Sequence, residues 1–85
     1  MRELTSLPNI GETVAQQLEE AGIRTAAQLE EAGSRQAWLK IQASDPSACI
    51  NRLYALEGAI RGIRKSALPP EVKAELKAFY QQHKK

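Results

Sequence analysis

The 85-residue chain has one cysteine, Cys49, and one histidine, His83. One cysteine excludes an intramolecular disulfide, and one thiol with one imidazole leaves too few soft ligands for a structural zinc site. Aromatic residues are scarce too: Trp38, Tyr54, Phe79 and Tyr80 are all of them. Apolar runs last only a few residues, far short of the ~20 that span a bilayer. The start, Met1-Arg2-Glu3-Leu4-Thr5, lacks the apolar core of a signal peptide. These absences predict a soluble, cytoplasmic protein in a reducing compartment, with no membrane partner. No Ser–His–Asp set, paired carboxylates or P-loop-type glycine loop can be assembled. No enzyme, cofactor, metal or small-molecule substrate is therefore expected. A 9.4 kDa chain has mass for one domain, residues 1–85, and for one economical core.

What the chain does have is an uneven distribution of charge. Residues 1–45 hold four basic against seven acidic residues, a net −3, whereas residues 46–85 hold eight against three, a net +5. The formal total of +2 conceals this asymmetry. The two halves present opposite fields to a partner.

Every periodic segment has a helical period, and none alternates as a half-buried strand does. The pattern predicts five helices. Leu7-Pro8-Asn9-Ile10-Gly11 reads as a turn, followed by a helix from Glu12 to Ala21 that Gly22 terminates. Thr25-Ala26-Ala27-Gln28 reads as a capping box opening a short helix that ends at Gly33. Ser34 then caps a third helix, with Ala37, Trp38 and Ile41 inward. Asp45-Pro46 reads as the cap and first position of a fourth helix, Ser47 to Arg64, whose apolar stripe runs Cys49, Leu53, Leu56, Ile60, Ile63. Leu68-Pro69-Pro70-Glu71 starts a fifth, with Val72, Leu76, Phe79 and Tyr80 inward and 80–85 expected to fray. On this reading Cys49 is a buried, inert thiol, and Trp38 and Tyr54 are core anchors rather than platforms for stacked bases.

Three groups of residues are candidates for binding. The turn Asn9-Ile10-Gly11 leads into a helix start, where free amides and the helix dipole favour an anion, and the segment resembles a helix-hairpin-helix hairpin. Against this, Glu12 follows directly and no cation occurs between Arg2 and Arg24, so a plain packing turn is the preferred reading. Arg61, Arg64 and Lys65, spaced to share a helix side, together with Lys73 and Lys77 on the next helix, make a cationic surface suited to nucleic-acid phosphates. The alternative is an ordinary solvated face. Gly58 and Gly62, with Tyr54, form a small-residue surface that another helix approaches within the core, or that a second copy or a regulatory protein contacts.

The run Asn51-Arg52-Leu53-Tyr54-Ala55-Leu56-Glu57-Gly58-Ala59-Ile60-Arg61-Gly62-Ile63 resembles the signature helix of the C-terminal domain of the TfoX/Sxy competence regulators. Leu7 to Gly11 and Ala21-Gly22-Ile23-Arg24-Thr25 are similar to the opening of that domain, and Leu68-Pro69 with Glu71, Lys73 and Leu76 to its close. The likeness runs from about Leu4 to Phe79. Members tend to carry histidine and tryptophan just after the signature helix, where this chain has Arg64 and Lys65. The resemblance implies an all-α, five-helix domain with a helix-hairpin-helix-like (SAM-like) core. It also implies a bacterial cytoplasmic protein tied to regulation of DNA uptake genes. The expected function is a non-enzymatic interaction module in transcriptional regulation, with weak nucleic-acid binding. The alternative is a protein–protein or self-association module with no nucleic-acid contact.

Overall fold

The computed structural model describes residues 3–83. A 3₁₀ turn at Glu3–Ser6 precedes helix α1, Glu12–Glu20. Helix α2 spans Ala26–Ser44 and helix α3 spans Ile50–Arg61. A second 3₁₀ turn, Lys65–Ala67, leads to helix α4, Pro70–His83. No strand occurs among the described residues.

Four helices therefore stand where five were expected, and the difference lies at Gly33. This residue adopts φ +83° and ψ 159° inside α2, a conformation restricted to glycine. The helical backbone is interrupted at Gly33, where the boundary was expected, but it resumes at Ser34 at once, so the two predicted segments run on as one kinked element. Ser34 does not cap anything there. Its hydroxyl donates to the Glu57 Oε1 of α3 at 2.6 Å, and the residue is buried.

Local chemistry explains most other boundaries. Gly22 ends α1 at φ +90°, with Ile23 N donating to Leu18 O at 2.8 Å and Gly22 N to Glu19 O at 3.0 Å. This is a Schellman cap, and its apolar partners Ile23 and Leu18 are both buried. Thr25 caps α2 by accepting from Gln28 N at 3.1 Å, while Gln28 Oε1 reaches back to Arg24 N at 2.7 Å. Gly62 ends α3 in the same way as Gly22 ends α1, at φ +73° with Ile63 N on Gly58 O at 2.9 Å.

Helix α3 begins later than the Asp45-Pro46 signal predicted. Asp45 instead organises a turn, accepting from Ser47 N at 3.1 Å through its side chain and from Ala48 N at 3.0 Å through its carbonyl. Cys49 becomes the residue before α3, in extended backbone, and its side chain is exposed. The expectation of a buried thiol fails because the stripe starts at Leu53, one turn later. Helix α4 continues to His83, through the first part of the segment expected to fray. Lys84 and Lys85 lie outside the described residues.

The core is built from Leu4, Leu18, Leu29, Trp38, Ile41, Leu53, Leu56 and Leu76, all without solvent exposure. Helix α3 sits at the centre and packs on both α2 and α4. Trp38 fills the space between α2 and α4, with its ring edge-on to Phe79 and Tyr80 at centroid distances of 6.2 and 5.5 Å. Its indole N–H donates to Cys49 O at 3.2 Å, so the buried polar atom is satisfied. Buried Gln42 donates to His83 O at 3.0 Å, occupying a carbonyl that the last turn of α4 leaves open. The radius of gyration is 11.6 Å, against about 12 Å for a compact chain of this length.

Candidate nucleic-acid interface

Helix termination decides where the predicted cations lie. Because Gly62 turns left-handed, α3 stops at Arg61 and its face goes no further. Arg64 and Lys65 fall on the connector between α3 and α4, so the expectation that they share a helix side with Arg61 is not met. Arg64 is extended, Lys65 begins the 3₁₀ turn, and both are exposed. Lys73 and Lys77 sit one turn apart on α4 and share a flank. The Tyr54 hydroxyl donates to Lys73 O at 3.4 Å, fixing the start of α4 against α3.

The charges then sort themselves by partner. Arg61 Nε donates to Glu57 Oε2 at 2.6 Å. Arg52 pairs with Asp45 at 2.9 Å, and Arg35 with Glu75 across α2 and α4 at 3.7 Å. Among the described residues, Arg64, Lys65, Lys73 and Lys77 have no carboxylate partner. The five-residue surface read from the sequence thus reduces to four uncompensated cations on two consecutive elements. Arg61 belongs to a structural pair. Burial raises the Glu57 pKa, but the Ser34 hydroxyl, the Arg61 guanidinium and the Arg35 charge outweigh it and hold the carboxyl below its usual range.

The Asn9-Ile10-Gly11 turn is arranged differently from an anion cradle. Ile10 is a core residue. Gly11 is exposed and precedes α1 with no side-chain cap. Asn9 adopts φ +68°, and its carboxamide points away from the α1 start. Its Nδ2 donates to Ile63 O at 3.0 Å and to Ala55 O at 3.4 Å, and its Oδ1 accepts from Lys65 N at 3.1 Å. The turn is thereby joined to the end of α3 and to the cationic connector. The three residues do not converge on one point, but the turn and the connector are neighbours.

The same contact accounts for Gly58. A Cβ there would stand 2.5 Å from Asn9 Nδ2 and 2.7 Å from Ile63 O. Gly58 is buried beneath a side chain of its own chain, whereas a Cβ on Gly62 would meet nothing. Tyr54 is half-buried under α4. The Tyr54, Gly58 and Gly62 set is therefore not one continuous surface for a helix to approach.

Sequence reasoning named two residues but missed what their side chains do. One is Asn9, singled out only as part of an anion turn, whose partners lie 46 to 56 residues away; the visible signal was an asparagine in a turn, a residue that tolerates positive φ. The other is Asp45, which accepts from Gln17 Nε2 at 2.8 Å, from Arg52 and from the Ser47 hydroxyl. These bonds hold its carboxyl far below the usual carboxylate range, with the Ser47 hydroxyl the largest cause.

Comparisons with known proteins agree with this architecture. Two crystal forms of an uncharacterized protein from Listeria monocytogenes, triclinic and tetragonal, are each 48% identical to this chain. Each alignment covers 93% of this chain, with 90% of the triclinic-form chain and 96% of the tetragonal-form chain. The TM-scores are 0.92 and 0.91. No functionally curated protein matches the sequence significantly. Among the described residues, no helix is long and apolar enough to cross a membrane. The model of the TfoX C-terminal domain matches residues 1–80, and the chain belongs to that family.

Proposed function

We propose that this domain is a non-enzymatic, cytoplasmic interaction module of competence-type transcriptional regulation that binds nucleic-acid backbones weakly. The observation that carries the reading is the segregation of charge. The arginines at 35, 52 and 61 are spent on carboxylates, while Arg64, Lys65, Lys73 and Lys77 are not. Exposed Arg24 and Lys40 are also unpaired among the described residues, but they lie in the acidic half of the chain, whereas the four follow one another along the basic half. Cations without internal partners are free to replace counterions along a phosphate backbone, the main source of sequence-independent affinity. The family supports a competence-related role.

The test is a titration with duplex and single-stranded DNA at several salt concentrations, followed by mass measurement. Four phosphate contacts give a slope of log affinity on log salt of about −3 to −4. Replacing Arg64 and Lys65 by alanine should reduce it by about 2, and Lys73 with Lys77 likewise. Arg61→Ala should change it little. A domain that shows no salt-sensitive binding near 50 mM salt and elutes as a concentration-dependent oligomer would favour the self-association reading and end this one.

A further inference from the structure

We infer that Asn9 is a positioning residue for the cationic surface: its carboxamide holds the connector so that Arg64 and Lys65 are pre-arranged to meet a phosphate backbone. This rests on the reading above and deepens it.

One side chain grips the chain on both sides of Arg64. It donates to Ile63 O at 3.0 Å and accepts from Lys65 N at 3.1 Å, across 54 and 56 residues of sequence. A third bond, to Ala55 O, ties the same group to α3. Both ends of the carboxamide are therefore engaged, as donor and as acceptor. The molecule makes two concessions to this arrangement. Asn9 takes a left-handed backbone, φ +68°, and position 58 carries no side chain, since a Cβ would lie 2.5 Å from Asn9 Nδ2. The other holds on the connector lie at its two ends and within its own turn, where Ile63 N donates to Gly58 O, Leu68 is buried in the core, and Ala67 N and Leu68 N donate to Arg64 O and Lys65 O. Asn9 is thus the side chain that fixes the backbone on either side of Arg64.

Asn9 is neutral, so its contribution has a distinct signature. It releases no counterions and leaves the salt slope alone. It lowers the ordering cost that the connector incurs on binding. Removing it should weaken affinity without changing the slope, whereas removing a cation changes both.

The experiment compares Asn9→Gly, R64A/K65A and the triple variant by titration with duplex DNA over a salt series, each confirmed helical by circular dichroism. Glycine is chosen because it accepts φ +68°. Asn9→Gly should bind about three- to ten-fold more weakly than the wild type with an unchanged slope. It should add nothing further in the R64A/K65A background. If R64A/K65A weakens binding and Asn9→Gly does not, or if Asn9→Gly costs as much in that background as alone, the positioning role is wrong and the cationic surface stands. If R64A/K65A itself binds like the wild type, the surface reading fails and this inference with it. Amide exchange on the unmodified protein gives a second measurement that needs no variant. The Lys65 amide should be protected relative to exposed Ser66, and equally fast exchange at both would overturn the inference.

Discussion

At the scale of single residues, the Asn9 and Gly58 pair shows how two unremarkable positions depend on each other. Asparagine supplies three hydrogen bonds that glycine or alanine could not, and glycine supplies the space they occupy. Gly58→Ala should therefore destabilise the fold by about 2–3 kcal/mol, since the clash includes a backbone oxygen that cannot swing away. Gly62→Ala has open space and suffers only from its positive φ, a cost of about 1 kcal/mol. Urea unfolding midpoints of the two variants check this order, and equal losses would mean that the carboxamide is not seated over Gly58. Ser34 and Glu57 make a similar pair, in which a small hydroxyl near the kink satisfies a carboxylate on the neighbouring helix.

At the scale of elements, α2 and α4 depend on different things. Helix α2 bends at a conformation that only glycine adopts readily, so Gly33→Ala should cost about 1–3 kcal/mol despite the empty space around its Cβ. Thermal unfolding followed by far-ultraviolet circular dichroism measures the loss. An unchanged melting temperature would show that α2 straightens freely. Helix α4 has one fully buried residue, Leu76, supported by half-buried Val72, Phe79 and Tyr80. Leu76→Ala should cost about 3 kcal/mol. Because Trp38 packs edge-on to Phe79 and Tyr80, its near-ultraviolet dichroism should fall before the far-ultraviolet signal does. Coincident loss of both would mean that α4 leaves only with the whole fold.

At the scale of the molecule, Asp45 links elements that are distant in sequence. Its carboxylate receives α1 through Gln17 and α3 through Arg52, next to the end of α2. Its carboxyl is more acidic folded than the unfolded value of about 3.9, so as pH falls the unfolded chain takes up the proton first. The stabilisation is complete above about pH 5 and is lost as pH drops from there toward the folded value. Melting temperature followed from pH 7 to pH 2 should fall in that acid range, and Asp45→Asn should start lower and fall less steeply. Parallel curves would show that this carboxylate links nothing. The charge asymmetry also belongs to this scale, because its binding consequence depends on which cations the assembled fold has already paired.

Local signals in the chain were enough for the helical class, the Schellman cap at Gly22, the capping box at Thr25 and the apolar positions of α2 and α3, because propensity, capping and 3.6-residue periodicity act within a few neighbours. The family was legible from the Leu53 to Gly58 run. Tertiary structure alone decided that the helix resumes directly beyond the break at Gly33, that Cys49 faces solvent and that Arg61 is spent on Glu57. It also decided that Asn9 clasps a connector on the far side of the sequence. These outcomes depend on which groups meet once the helices pack. A hydrogen bond across more than fifty residues, or a cation's choice of carboxylate, leaves no trace in local spacing.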